Sequence, residues 1–202
     1  MRDVKPGEIV RINENGVYSI FQHPSPQDSL CSFEILYFAS PNSYIDGKNI
    51  RNIRKNLGVI LAKRENYLSR WRNYTVIGIP ETGICSAKAY AKYLNLTYKQ
   101  AIRKKKNETR TFIILNEQER KLACDKKFNY DCKSIRDKNV IIVDDTIVRG
   151  NIIKSIIKHL RKCGVGEIHI RIPAPPVIDI CELGIAITKK TELLMNDKTV
   201  EE

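Results

Sequence analysis

No apolar run in this sequence approaches the roughly 20 residues that a membrane-spanning helix needs, stretches such as Val140 to Val143 being far shorter. The first residues, Met1-Arg2-Asp3-Val4-Lys5-Pro6, lack the apolar core of a signal peptide. Both absences predict a cytosolic protein with no membrane partner. No C-x-x-C pair occurs among the six cysteines (Cys31, Cys85, Cys124, Cys132, Cys163, Cys181), and a chain of 202 residues is large enough to fold without covalent staples, so all six read as reduced thiols. There is no internal repeat, no low-complexity segment and no recognisable helix-turn-helix or zinc module. Aromatic residues are sparse at 7%, but a hydrophobic share of 42% excludes disorder and fits one globular domain with a modest second element.

Acidic residues are also in deficit, 23 against 35 Lys and Arg, and the resulting +12 is localised. Residues 48 to 72 carry eight basic side chains against Glu65 alone, and residues 99 to 110 carry six against Glu108 alone. These two segments contribute +7 and +5, so the remaining residues sum to zero. Such patches suit either a nucleic acid or a multiply phosphorylated small substrate, and charge alone does not choose between them.

Residues 8 to 21 predict two short strands around an Asn-Gly turn, a hairpin appendage. Phe33 to Ala39 reads as a strand, and a helix from Asn49 to Asn66 places Ile50, Ile53, Leu57, Ile60 and Leu61 on one stripe opposite a basic face. Strands and helices then alternate: Tyr74–Ile79 (strand), Ile84–Asn95 (helix), Leu96–Arg103 (strand into loop), Glu117–Lys127 (helix), Val140–Val143 (strand), Asn151–Cys163 (helix), Glu167–Ile172 and Gly184–Ile187 (strands). This order predicts an α/β fold with a mostly parallel, doubly wound sheet covered by helices on both faces, and ligands at the carboxyl ends of its strands. The two inner histidines, His159 and His169, and Trp71 read as structural.

Chemistry concentrates in Asp144-Asp145-Thr146-Ile147-Val148-Arg149-Gly150-Asn151, which follows the apolar strand and runs into an amphipathic helix. Gly150 permits close approach of backbone to ligand, and the free N–H groups and dipole of the following helix favour an anion, so the loop is a phosphate cradle. Asp144 and Asp145 would repel the phosphate itself and suit the hydroxyls of an attached sugar, with a hard cation bridging them to a second phosphate group.

This segment resembles the phosphoribosyl diphosphate (PRPP) motif of type I phosphoribosyltransferases, and more narrowly the D-D-S-I-V-R-G of the amidophosphoribosyltransferase family. The likeness extends to Phe33-Glu34 with Tyr37 to Gly47 (F-E-x-x-Y-F-A-R-P-D-S-x-I-D-G in the family), to Ile79-Pro80-Glu81-Thr82 (its pyrophosphate loop) and to Lys104 through Ile113 (its flexible loop, ending R-T-F-I). It runs from Arg2-Asp3-Val4-Lys5-Pro6-Gly7-Glu8, similar to the family's interdomain linker, to about Ile187. The resemblance implies a type I phosphoribosyltransferase fold with a small N-terminal β appendage over residues 1–32, a phosphoribosyltransferase domain over 33–195 and a polar, frayed tail over 196–202.

It also implies roles. PRPP would be held by Glu81, Thr82 and Gly83 at its diphosphate, by Asp144 and Asp145 at its ribose, and by Thr146, Ile147, Val148, Arg149, Gly150 and Asn151 at its 5-phosphate. Mg2+ would lie near Thr82, Asp144 and Asp145, while Lys104 and Arg110 on a mobile loop would neutralise departing pyrophosphate. The implied reaction joins PRPP and ammonia into 5-phosphoribosylamine, in purine biosynthesis, without a glutaminase domain of its own; a separate glutaminase and a homo-oligomer are the expected partners. Cys31 and Cys181 match two of four cluster-ligating positions found in some members, and two buried thiols are expected instead of a cluster. Departures from the family pattern include Ser40, Asn42, Asn107, Thr109, Asp125, Asn151-Ile152 and Ala186, which bear more on catalytic rate than on PRPP binding. The alternatives are a PRPP-sensing regulatory or nucleic-acid-binding module, disfavoured by the missing motifs, and a nucleobase salvage phosphoribosyltransferase.

Overall fold

The computed structural model describes residues 4–24, 29–65, 71–105, 126–182, 185, 187 and 189–199. The chain divides into two compact units, Met1–Glu34 and Ile35–Glu202. In the first, β1 (Glu8–Asn13) and β2 (Gly16–Gln22) pair antiparallel, with Asn13 opposite Gly16 and a bulge between Ile9 and Val10. Gly16 lies at φ 134°, and the Asn13 side chain accepts the Asn15 N–H at 3.0 Å inside the turn. Ile9, Ile12, Val17, Ile20 and Phe21 of this ribbon are all exposed.

The second unit opens with a correction. Glu34–Phe38 is a π-helical turn, not part of a strand. Its cause is Arg54, only 2% exposed, whose Nε donates to the Ile35 carbonyl at 3.0 Å and whose Nη2 donates to the Ala39 carbonyl at 2.9 Å. One guanidinium gathers carbonyls from both ends of the turn, and a buried backbone satisfied in this way needs no ladder partner. A two-stranded hairpin follows, β3 (Tyr44–Ile45) and β4 (Lys48–Asn49), with Asp46 and Gly47 both at positive φ, the conformation a tight hairpin turn requires.

Helix α1 (Ile50–Lys63) starts where Asn49 accepts the Asn52 N–H at its N-cap. Its buried line is Ile50, Arg54, Gly58 and Ala62, while Ile53, Leu57 and Leu61 are half-buried and Ile60 is exposed. The apolar stripe read from the sequence is therefore rotated. Gly58 sits against α2 (Gly83–Tyr93) so tightly that a Cβ there would lie 2.2 Å from the Ser86 carbonyl oxygen, and the Ser86 hydroxyl donates to the Arg54 carbonyl at 2.8 Å. Arg51, Lys55, Lys63 and Arg64 form the exposed basic face.

Four parallel strands make the central sheet, in the order β10 (Ile168–Arg171), β9 (Asn139–Val143), β5 (Tyr74–Gly78), β6 (Thr97–Lys99). Alternate residues face opposite layers. Val76, Ile141 and Val143 pack with Ala62 of α1 and with Ala87, Tyr90 and Ala91 of α2. On the other face Ile77, Val140 and Ile142 pack with Ile153, Ile156 and Leu160 of α4 (Asn151–Lys162). Trp71 is buried edge-on against Tyr74 and His169, at ring-centroid distances of 5.0 and 4.7 Å. This is the doubly wound parallel sheet that the alternation predicts.

Elsewhere the reading needs revision. The stretch expected to run from Leu96 into a loop instead splits into β6 and β7 (Ile102–Lys104), and β7 pairs antiparallel with β8 (Phe128–Tyr130). The helix expected over Glu117–Lys127 lies outside the described residues except for Lys126 and Lys127. Of the expected strand Gly184–Ile187, only Ile185 and Ile187 are described, and the Ile187 N–H donates to the Ile185 carbonyl at 2.6 Å. Cys132, opening the short helix α3 (Cys132–Ile135), forms a disulfide with Cys163 at the end of α4, so the cysteines are not all reduced. Packing of α3 against the end of α4 brings the two Cα atoms to 4.8 Å, within bridging range, from positions 31 residues apart in sequence. Cys31 is exposed and Cys181 half-buried, in place of two buried thiols. Among the described residues no helix is long and apolar enough to cross a membrane.

The contact at Gly58 yields a prediction. Alanine normally favours a helix interior over glycine by about 1 kcal/mol, but here its methyl would push against backbone. Gly58→Ala should destabilise the chain by roughly 1–3 kcal/mol, read as a lowered urea midpoint, whereas the exposed Lys55→Ala should stay within about 0.5 kcal/mol.

Candidate active site

Strand β9 ends on Asp144 and Asp145, which are 9% and 5% exposed. The sheet holds them on both sides: the Ile79 N–H donates to the Val143 carbonyl at 3.0 Å, and the Asp144 N–H donates to the Arg171 carbonyl at 3.2 Å. Arg171 is itself held by Glu65, with Nη2 to Oε2 at 3.0 Å, and the Tyr90 hydroxyl donates to the same carboxylate at 2.6 Å. Asp144 Oδ1 accepts the Asp145 N–H at 2.9 Å, and Asp145 Oδ1 accepts the Thr146 N–H at 2.8 Å. Asp145 Oδ2 is buried with no hydrogen-bond partner.

Burial pushes both carboxyls above the ordinary carboxylate range. For Asp144 the neighbouring charge of Asp145 adds to the effect and Lys127 opposes it; for Asp145 the hydrogen bonds around it and the nearby Thr82 hydroxyl oppose it. Two carboxyls so placed are suited to a positive charge or to hydroxyls that donate to them.

Downstream, Thr146, Ile147, Val148 and Arg149 form a half-buried loop, and Gly150 is buried at φ 76°. Gly150 is the N-cap of α4 and offers no side chain to it, so the first-turn N–H groups at Asn151 and beyond are available to an anion. The Arg149 guanidinium meets Glu192 at 2.6 Å, and the Leu194 N–H donates to the Val148 carbonyl at 2.9 Å.

Across the strand ends, the Pro80–Glu81 peptide is cis, Glu81 is exposed, and Thr82 caps α2 without a side-chain hydrogen bond to the helix. Gly83 begins that helix against the acidic pair. A Cβ at Gly83 would lie 2.7 Å from the Val143 carbonyl oxygen and 3.0 Å from Asp144 Cα. Glycine is thus what lets the helix N-terminus reach the carboxylates.

Lys104 is the last residue of β7, in strand pairing opposite Phe128, and not on a loop as the sequence suggests. Arg110 lies outside the described residues, as do Asn107, Thr109, Asp125 and Ala186. Three residues of the neighbourhood carry no site role in the sequence reading. Lys127 is 8% exposed, lies over the Phe128 ring and acts electrostatically on Asp144; in sequence it matches the Lys of the family's V-R-x-K-L-N, as Asn129 matches the Asn, but that match assigns it no role. Glu192 and Leu194 contact the loop from Val148 to Gly150 from a segment whose composition carries no signal of it. Among the described residues no three His, Cys, Asp or Glu side chains converge as a ready-made metal site.

Comparison with known proteins agrees with this geometry. The phosphoribosyl transferase domain matches residues 47–174. The amidophosphoribosyltransferases of Methanothermobacter thermautotrophicus and Bacillus subtilis are 34% and 35% identical over 202 residues, and this chain spans 42% of the length of each. A solved structure of the allosteric regulatory enzyme of purine biosynthesis superposes with a TM-score of 0.81 at 33% identity, covering all of this chain and 42% of that one. The B. subtilis glutamine PRPP amidotransferase, solved with ADP and GMP, gives 0.81 at 34% identity and 43% of its length. The matched residues take in the parallel sheet, the acidic pair and both helix starts of this chain, and the chain is a member of the phosphoribosyl transferase family.

Proposed function

We propose that the chain binds PRPP and transfers its phosphoribosyl group to ammonia in the cytosol, as a phosphoribosyltransferase of the amidophosphoribosyltransferase type. The observation that carries this reading is the arrival of two helix N-termini without side-chain caps, α2 and α4, at the ends of adjacent strands beside one buried carboxylate pair. Each N-terminus presents about half a positive charge and unpaired N–H groups. A ligand with an anion at each end and hydroxyls between them matches that layout, and PRPP is such a ligand.

In this reading the 5-phosphate sits on the backbone of Thr146 to Asn151, the ribose hydroxyls donate to Asp144 and Asp145, and the diphosphate lies on Glu81, Thr82 and Gly83. The unpartnered Asp145 Oδ2 fits a divalent cation, and Mg2+ characteristically takes one or two carboxylates with substrate phosphates and water. Asp144, Asp145 and Thr82 would hold it, and when bound it supplies charge neutralisation at the diphosphate. The ammonia nitrogen forms a bond to the anomeric carbon, the bond from that carbon to the diphosphate oxygen breaks, and the new ammonium loses a proton. Positive charge grows on the sugar while negative charge grows on the leaving group, so stabilisation is electrostatic. The buried carboxylates face the first, and Lys127, Lys104 and Arg110 serve the second. A glutaminase supplying ammonia is the partner this chemistry calls for.

The assay is pyrophosphate release from PRPP and Mg2+ with ammonia, glutamine or purine bases as acceptor. These 202 residues should release pyrophosphate with ammonia at alkaline pH and not with glutamine or a base; release with a base alone would replace the proposal by salvage chemistry. Asp144→Asn with Asp145→Asn should weaken PRPP binding on the order of a hundredfold, since two charge-assisted hydrogen-bond sites are lost, while the exposed Lys162→Ala should leave it within twofold or so. Calorimetry showing equal affinities would sink the assignment.

Burial of the pair also predicts a pH dependence. Because the folded carboxyls sit above their unfolded values, the unfolded state binds fewer protons as pH rises past about 4, and the fold loses stability up to the folded pKa and stays penalised above it. Asp144→Asn should therefore raise the melting temperature of the unliganded protein at pH 8, with the gain fading as pH falls toward 4. A variant that melts below the parent at pH 8 would contradict this account of the pair.

A further inference from the structure

The segment after Lys189 reads in sequence as the approach to a frayed tail, yet it reaches back to the phosphate loop through three different kinds of contact. Glu192 Oε2 accepts from Arg149 Nε at 2.6 Å, with the two side chains 30% and 10% exposed. The Leu194 N–H donates to the Val148 carbonyl at 2.9 Å. The Leu194 side chain lies over Gly150, its methyl carbons 3.5 and 3.7 Å from where a Cβ would stand. Leu193 is buried at 5%, and Lys190 meets Asp179 at 3.3 Å, so the segment is itself anchored at both sides of Glu192.

We propose that residues 190–196 are a strap that sets the position of the 5-phosphate loop, and that Arg149 is a positioning residue acting through Glu192, not a ligand of the substrate phosphate. The charge arithmetic favours this division. A guanidinium already matched to a carboxylate presents little net field to a phosphate, and a carboxylate left alone beside a phosphate site would repel it. The pair has to stay together. Phosphate binding then falls to the backbone N–H groups of the loop and of α4, and their geometry depends on how the loop is held, because misplaced donors lose strength steeply with angle. Gly150 contributes twice: its left-handed φ starts the helix, and its missing side chain leaves the space that Leu194 fills.

The inference rests on the PRPP reading for its ligand but not for its mechanics, which allows the two to fail separately. Hydrogen exchange of the unliganded full chain reads the strap alone. Glu192→Gln, Arg149→Gln and Leu194→Ala should each speed exchange of the amides from Val148 to Ile153 by about tenfold, with the sheet amides of β9 unchanged. Leu194→Ala keeps the ion pair and guards against a charge variant that fails to fold. Unchanged exchange in Leu194→Ala and Glu192→Gln would overturn the strap, whatever the ligand. In PRPP binding, Arg149→Gln and Glu192→Gln should each weaken affinity on the order of tenfold, raising KM more than they lower kcat. The double variant should be no worse than the poorer single one, and the exchanged pair Arg149→Glu with Glu192→Arg should recover part of the loss. If Arg149→Gln abolishes binding while Glu192→Gln binds as well as the parent or better, Arg149 is a direct phosphate ligand and the proposed role is wrong. If the parent chain binds no PRPP, the functional reading fails while the exchange data still decide the strap.

Discussion

Two neighbouring carboxylates at the end of a buried strand are unfavourable in the unliganded chain, and the architecture of the second unit is arranged around them. Asp144 takes its backbone position from the sheet through Arg171, and Arg171 takes its own from the Glu65 carboxylate and the Tyr90 hydroxyl. Helix starts, a buried lysine and a hydroxyl are aimed at the same spot. None of these neutralises the pair completely. The burial and mutual repulsion of the pair are a cost that a matching cation or hydroxyl-bearing ligand relieves, the usual relation between stability and function at preorganised sites.

Close backbone approach is the second constraint, and glycine provides it twice. Gly58 brings α1 onto α2, and Gly83 brings α2 onto the end of β9. The two contacts act in series, so the distance from the basic outer helix to the acidic pair is set by backbone against backbone, with few adaptable side chains between. Such stacking fixes positions more closely than apolar packing alone, which tolerates exchange of similar volumes.

What was legible beforehand follows from whether a signal is contiguous. The strand, acidic pair, loop glycine and helix start lie within a dozen residues, and the alternation of strands and helices is carried by local periodicity, so both were readable. Arg54 was not: a charged residue on a helix predicts an exposed face, and only the packing of the π-turn carbonyls around it makes a buried position favourable. That same satisfied backbone is why Phe33 to Ala39 imitates a strand in composition without being one. Lys127 and Glu192 reach the site from distant segments, and the Cys132–Cys163 pair is formed by two elements whose approach no spacing rule describes. Contacts that depend on tertiary convergence of polar groups leave almost no trace in hydrophobic pattern.

The disulfide gives α4 a mechanical role. A helix of 12 residues is a rod about 18 Å long. One end carries the Gly150 turn, and the other is bonded to Cys132, two residues beyond the β8 strand whose neighbour is Lys127. The bridge closes a covalent loop that runs from Cys132 through β9, the acidic pair and the Gly150 turn to Cys163, and Lys127 stands just outside it on the ribbon that leads to Cys132. The far end of the helix is therefore tied covalently to the ribbon that carries Lys127, and a reducing compartment would leave that tie to the core alone.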